Sequence, residues 1–471
     1  MSVPNDPRNR RRGRVPRAVP VLAVVAAMLL ATGCQFGRER DDAGITFWTP
    51  HVTPGRIAQQ EATARRFTER TGIPVTVVPM GAADQNQALV TGVASGNVPD
   101  VILLAPDQAA TWTRQGLLDT ETAEDVVADL GRATFSARAL DMVTLDGRLA
   151  AVPSDGWGQV LVYRRDLFAA AGLEPPDSLE RIAAAARRLH GDGMAGIVLG
   201  TRPGDPFTTQ TLEALLLANG CELVDGSGRI ALASPACVEG LRLYTEMAAA
   251  SVRGDQDVET TRAAYLAGEA AMLFWGSHIF DELAGLAPSF PPTCPECARD
   301  PRFLAENSGV VTTLTGPDND VGVQYGLTLN LGVPRGADAE PAGRFVRYLL
   351  GDGYLESLAV SPEGRVPMRT GTPESPNSFA DAWARLPAGE DPDTRTPLAE
   401  VYGAGTVAAI VHGAQHFRRW GYGTEDAVLA GALSAQNTLV ADLGTLFETG
   451  DPRRYAQGMA EAAAGVRADV E

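Results

Sequence analysis

Three quoted stretches decide the fold class: Ile45-Thr46-Phe47-Trp48, then Pro74-Val75-Thr76-Val77-Val78-Pro79, then Asp100-Val101-Ile102-Leu103-Leu104. Each is a short apolar run bounded by turn residues, which is how a buried strand reads. Between the first two, Thr53 stands as an N-cap and Pro54 as a first helical residue, opening a helix to Arg70 that Gly72 stops. Between the second and third, residues 85–95 predict another helix ending at Gly96-Asn97. The order β-α-β-α-β favours a parallel sheet with right-handed crossovers, an α/β fold.

The rhythm continues outward. Ala151-Val152-Pro153 and Val160-Leu161-Val162-Tyr163 read as extended, and Asp177 caps a helix over 178–190 with Glu180 at capping-box spacing. Residues 212–218 and 238–249 are further helices. Pro288, Pro291, Pro292, Pro295 and Pro301 predict a long ordered loop or insertion over 285–320. A strand returns at 323–333 and a helix at 341–350; residues 362–397 are Pro-rich, and the chain from Leu398 reads helical. There is no internal repeat.

With 471 residues, 45% of them hydrophobic, the chain is long enough for two lobes, since single cores stop growing near roughly 250–300 residues. The formal charge is −18 and every Lys/Arg position is Arg, a balance that argues against general nucleic-acid or anionic-lipid binding. The exception is the N-terminus, where Arg8, Arg10, Arg11, Arg12, Arg14 and Arg17 precede an apolar run from Val19 to Leu30. That run is short for a span, which takes about 20 residues, and with its small-residue exit it reads as a secretory signal. Ala31-Thr32-Gly33-Cys34 resembles the bacterial lipobox, in which the Cys is lipidated and becomes the new N-terminus; Ala31 stands where the pattern prefers Leu. Residues 1–34 are then a lipoprotein signal peptide and 35–42 a polar tether. An uncleaved anchor, cleavage without lipid and a twin-arginine export route are the alternatives.

Export leaves Cys221, Cys237, Cys294 and Cys297, an even number in an oxidising compartment. Cys221 and Cys237 flank the turn Asp225-Gly226-Ser227-Gly228, and Cys294-Pro-Glu-Cys297 forms a second local pair. Structural disulfides are the expectation. A zinc half-site is the rival, without a second CxxC to complete it.

The ordered series Ile45-Thr46-Phe47-Trp48, Phe67-Thr68-Glu69-Arg70-Thr71-Gly72-Ile73-Pro74-Val75, Ser95-Gly96-Asn97-Val98-Pro99-Asp100-Val101, Gln115-Gly116-Leu117-Leu118-Asp119, Tyr163-Arg164-Arg165-Asp166-Leu167-Phe168 and Gly268-Glu269-Ala270-Ala271-Met272 resembles the extracellular solute-binding proteins of ABC importers, the family that includes maltose-type sugar binders. The resemblance implies a two-lobed periplasmic-binding-protein-like α/β fold with a ligand cleft between the lobes. One lobe would comprise 43–155 and 326–397, the other 156–325 and 398–471. It implies a lipid-anchored receptor on the outer side of the cell membrane that captures a small solute, a sugar by family, and delivers it to permease subunits, with no cofactor or metal.

A sugar site takes aromatic faces and convergent polar groups. Trp48 and His51 end the first strand. Asp107 aligns with a family carboxylate that accepts sugar hydroxyls, or it caps the helix over 108–115. Trp157, between Gly156 and Gly158, is a stacking candidate. Trp275-Gly276-Ser277-His278 matches a family segment in which His278 takes the usual Trp position. Phe207 and Trp420 correspond to further family aromatics near the cleft, and Tyr325 lies near an expected interlobe crossing. Arg365 and Arg369 flank a Pro-rich segment, where an Arg in the cleft would suit an acidic or phosphorylated ligand. Each of these has a packing or surface role as its rival. Leu104 stands where maltose-type members place a Trp, which argues against malto-oligosaccharides. No G-x-S-x-G, H-E-x-x-H or Walker motif is present, so no enzyme is expected. The competing functions are a ligand-sensing lipoprotein of the same fold and a secreted glycosidase, which would need two facing carboxylates.

Overall fold

The computed structural model describes residues 44–470; Cys34, the signal segment and the tether lie outside the described residues. Strand β1 (Ile45–Thr49) runs parallel to β2 (Val75–Pro79) on one side and to β3 (Val101–Leu104) on the other. All four residues of β3 are buried, as its uninterrupted apolar run requires. The first connecting helix, Pro54–Thr71, begins at Pro54 after an extended Thr53. It ends where Gly72 turns left-handed at φ 76° and returns its N–H to the Thr68 carbonyl. The second helix, Ala82–Ser95, starts three residues earlier than its sequence suggests and ends the same way at Gly96. A small hairpin follows, β4 (Thr144–Leu145) and β5 (Arg148–Leu149), whose turn residues Asp146 and Gly147 both have positive φ.

Two long strands then tie the molecule together. Strand β6 (Val152–Arg164) has 13 residues and passes straight through Gly156 and Gly158, where the sequence suggests two separate extended pieces. Its first half pairs with a strand from late in the chain, whereas its second half pairs antiparallel with β7 (Met272–Gly276) and β8 (Ser308–Val311). After the short β9 (Leu314–Gly316), β10 (Asn319–Gly332) is that late strand. It runs antiparallel to β6 and then to β3, so the sheet is mixed, in the order β11-β6-β10-β3-β1-β2 with β11 at Val366–Pro367. Strands β12 (Pro387–Ala388) and β13 (Thr396–Pro397) make a separate pair, and β14 (Phe417–Arg418) joins the early half of β10 in parallel.

The crossing of β6 and β10 falls at Gly158 opposite Gly326. The Phe417 ring, 1% exposed, packs against this junction. A Cβ on Gly326 would overlap the ring, and one on Gly158 would approach it to 2.7 Å. Only glycine lets the two strands accept this aromatic, which explains a strand that tolerates residues normally foreign to strands.

Local details correct the sequence reading in three places. Ser178, not Asp177, caps the helix Leu179–Leu189: its hydroxyl accepts the Arg181 N–H, while Asp177 accepts from the Arg181 guanidinium. Ser178 is the residue with the extended backbone, φ −132°, that a cap needs. Asp107 is not a cap, because Pro106, lacking an N–H and with φ preset, takes the first helical position of Pro106–Arg114 after Ala105. The Pro-rich 285–320 stretch is not all loop; it contains the helix Phe303–Asn307 besides β8 and β9. Both expected disulfides, Cys221–Cys237 and Cys294–Cys297, are formed. Asp225 shapes the loop inside the first by accepting the N–H groups of Ser227 and Arg229.

Candidate ligand-binding site

At the strand crossing, alternation of side chains sorts the residues. Gly156, Gly158 and Gly326 face Phe417, so Trp157 and its strand neighbour Gln159 face the opposite side, together with Tyr325 of β10. Trp157 is the one residue of β6 that is not fully buried. Its ring centre lies 5.5 Å from that of His278 and 6.3 Å from that of Tyr325, and it rests on Gly276, where an added Cβ would stand 3.4 Å from the indole. Three residues proposed on sequence, Trp157, His278 and Tyr325, are thus brought together.

Behind them is a buried ion pair that sequence reading missed. Arg419 Nε donates to Glu213 Oε1 at 2.8 Å and Nη2 to Oε2 at 3.2 Å, and the guanidinium lies 4.5 Å from the Tyr325 ring centre and 5.1 Å from that of Tyr422. Most other buried tyrosines spend their hydroxyls on the protein: Tyr244 donates to the Gly200 carbonyl, Tyr354 to Ser154, Tyr402 to Phe280 and Tyr455 to Leu439, and Tyr265 is bonded to Ser308. Among the described residues, Tyr325 and Tyr422 meet no protein acceptor, yet their hydroxyls are not sealed from solvent. Burial holds both phenols protonated well above their ordinary range, with Arg419 pulling the other way. Half-buried Asp107 faces the same two phenols and receives no hydrogen bond among the described residues. Gln159 is 2% exposed and neither end of its amide has a partner. Donors and acceptors left open near a half-buried indole are the chemistry that a hydroxylated solute completes. Tyr422 and Glu213 carried no motif, but Gln159 was within reach of a period-two reading, two residues past Trp157.

The remaining candidates lie elsewhere. Trp48 is half-buried against the core at the end of β1. Phe207 and Trp275 are buried with ring centres 6.4 Å apart, and the Trp275 indole donates to the Val258 carbonyl. Trp420 is buried with its indole N–H on the Cys221 carbonyl and its backbone N–H on Glu213. Arg365 grips Asp155 with two hydrogen bonds of 2.9 and 2.8 Å and also donates to the Ser357 carbonyl. Arg369 is spent on Thr134 and the carbonyls of Leu130 and Leu350. A phosphate would therefore find neither fork open. His51 sits beside the Arg365–Asp155 pair; burial first, then Arg365, lowers its pKa to about 4, and its Nε2 is buried without a partner. Burial, with Arg56 adding, lowers His278 to about 4 as well, so both rings are neutral at pH 7.

Beside His278 opens a cavity of 680 Å³. Thr53, Arg56, Gln59 and Glu363 line one flank, and Trp275, Asp281 and Glu282 the other. No group of three or more residues suited to a metal ion occurs among the described residues, and no described helix is long and apolar enough to cross a membrane.

Long strands shared by two flanks, with aromatic and unpaired polar groups where they cross, define a protein built to hold a small molecule in a cleft. The profile of the bacterial extracellular solute-binding proteins matches residues 62–388, and the chain belongs to that family. It is 26% identical over 420 residues to the Escherichia coli (strain K12) protein named as ABC transporter periplasmic-binding protein YcjN, covering 84% of this chain and 93% of that one. A 165-residue stretch is 28% identical to the lactose-binding protein of Rhizobium radiobacter, 34% of this chain and 37% of that one. Among solved structures, the cyclic alpha-maltosyl-1,6-maltose binding protein of Arthrobacter globiformis superposes with a TM-score of 0.66 at 16% identity, covering 90% of this chain and 98% of that one. Maltose-bound T. maritima MalE3 gives 0.64 at 17%, covering 90% and 100%. A ribitol-bound solute-binding protein of Agrobacterium radiobacter K84 gives 0.61 at 18%, covering 90% and 99%. The fold is that of the two-lobed periplasmic binding proteins. The family and these relatives are binding proteins rather than enzymes.

Proposed function

We propose that this protein captures a neutral polyhydroxylated solute, a sugar or polyol, outside the cytoplasmic membrane and delivers it to an ABC permease, tethered by a lipid on Cys34. The lobes would be 43–155 with 326–397 and 156–325 with 398–471. The ligand would stack on Trp157 and satisfy Gln159, Asp107 and the hydroxyls of Tyr325 and Tyr422. The observation that carries this reading is the half-buried indole of Trp157 beside Tyr325, with the unpartnered Gln159 amide on the same face of the strand and the open Tyr422 and Asp107 groups adjoining Tyr325. The sugar- and polyol-binding neighbours support the ligand class, and the engaged guanidinium groups of Arg365 and Arg369 favour neutral over phosphorylated solutes.

A thermal-shift screen of the protein against sugars, polyols and sugar phosphates tests it. A saturable rise in melting temperature with a sugar or polyol is expected, since a ligand that binds only the native state stabilises it by mass action. Trp157→Ala should then weaken binding by about 2 kcal/mol, the scale of a buried Trp anchor, with the fold intact. Unchanged affinity in that variant would remove Trp157 from the site, and a response to sugar phosphates alone would overturn the neutral-ligand reading.

A further inference from the structure

Asp281 and Glu363 reach the 680 Å³ cavity from opposite sides of the strand crossing. Asp281 stands on the helix Ile279–Leu283, which follows β7 on the second half of β6. Glu363 stands on the 3-10 turn Pro362–Gly364, which leads into β11 on the first half. Helix and turn pack on each other, and the His278 ring lies so close over Gly364 that any Cβ there would overlap it. Asp281, Glu282 and Glu363 are 7%, 6% and 6% exposed.

The neighbouring cations and donors are mostly engaged. Arg262 is bonded to Glu259 and Glu282 and stacks 3.5 Å from the Phe290 ring centre. Arg395 donates Nε to the Gly389 carbonyl, and Ser361 donates to Glu363. Glu390 adds a fourth carboxylate, which accepts the Ser289 N–H, and Tyr402 donates to the Phe280 carbonyl. Arg56 lines the Glu363 flank. Asp281 accepts only the Glu282 N–H, at 2.8 Å, and no Arg pairs with it among the described residues. Oε2 of Glu282 and Oε2 of Glu363 are buried without a partner. Carboxylates gathered in this way cannot all be ionised at little cost.

We propose that the junction of Asp281 with Glu363 is a proton-operated latch, which holds the two sides of the cleft together while a proton stays on these carboxyls and loosens as they ionise. Burial, with Glu363 and then Glu282 adding, pushes Asp281 up to about 8. Burial pushes Glu282 up to about 7 against the pull of Arg262 and raises Glu363 against the Ser361 hydrogen bond. When the sides part, these groups return to water and to ordinary values near ~4. The closed form therefore binds the proton more tightly, and closing takes one up between about 4 and 8. His278, packed across the same junction, and nearby His51 have the opposite sign, because burial lowers them to about 4. They act only below the ordinary imidazole value of ~6.5, so the interval from 6.5 to 8 belongs to the carboxyls.

The test needs no ligand, so its failure would leave the solute-binding reading standing. A donor–acceptor dye pair is attached to the full chain through noncanonical residues at Val90 and Val252, which are 51% and 38% exposed and fall in the two different lobes proposed above. Single-molecule energy transfer then reads the closed-to-open ratio against pH. For one proton that ratio should fall roughly tenfold per pH unit between 6.5 and 8. Asp281→Asn should flatten the dependence, and Glu363→Gln, which leaves Asp281 in place but removes a charge that raises it, should end the drop at lower pH and so make it shallower between 6.5 and 8. A ratio independent of pH in the wild type overturns the latch. So does an unchanged slope in either variant.

Discussion

Replacing Arg419 by Met separates the framework of the candidate site from its surface. The Arg419 and Glu213 side chains are 3% and 6% exposed, and their two hydrogen bonds are 2.8 and 3.2 Å long. Met keeps most of the volume but leaves the Glu213 carboxylate in the interior with only the Trp420 N–H, 2.8 Å away. Removing one partner of a buried pair costs about 3–5 kcal/mol, most of it the stranded charge. The two tyrosine faces also lose a cation, at about 0.5–2 kcal/mol each. Arg419→Met should therefore lower unfolding free energy by about 4 kcal/mol, read as a drop in urea midpoint at an unchanged slope. Adding Glu213→Leu removes the stranded carboxylate, so the double variant should recover about 2 kcal/mol. A loss below about 1 kcal/mol in the single variant would refute the account. So would a double variant less stable than the single, which would mean that volume rather than charge governs this position.

Two further outcomes follow from the hydrogen-bond pattern and the crosslinks. Tyr325→Phe and Tyr422→Phe should leave stability within about 0.5 kcal/mol, because neither hydroxyl has a protein acceptor, while weakening sugar or polyol binding about fivefold or more in titration calorimetry. Equal affinity in both would take the phenols out of the site. Replacing Cys221 and Cys237 together by Ser opens a crosslink between residues 16 apart and should cost about 3 kcal/mol in chemical denaturation; no change would mean that the unfolded loop was already confined.

Trp157 was legible as a candidate because two glycines flank it where the sequence suggests a break between extended pieces; the structure instead keeps it within a continuous strand, on the face the glycines do not use, half-buried beside His278 and Tyr325. Phe207, Trp275 and Trp420 have the same residue character but are buried, because burial of an aromatic depends on what folds over it, and those covering segments are remote in sequence. Arg365 shows this for charge: its fork is closed by Asp155, 210 positions away, a partner that no local pattern can name. The cap at Ser178 and the free carboxylate of Asp107 turned on single backbone angles and on Pro106.

By itself the sequence determined the parallel start of the sheet, the glycine stops at Gly72 and Gly96, the cysteine pairs and the family series, because strand period, helix termination and short-loop crosslinks are local properties. The tertiary structure alone decided that β6 is continuous, that Gly156, Gly158 and Gly326 serve the Phe417 ring, and that Arg419 holds Glu213 behind two tyrosines. It also decided that Asp281 and Glu363 face one cavity. Such meetings join residues far apart along the chain, and their energies arise from burial and from charge at close range, which exist only once the two flanks are packed.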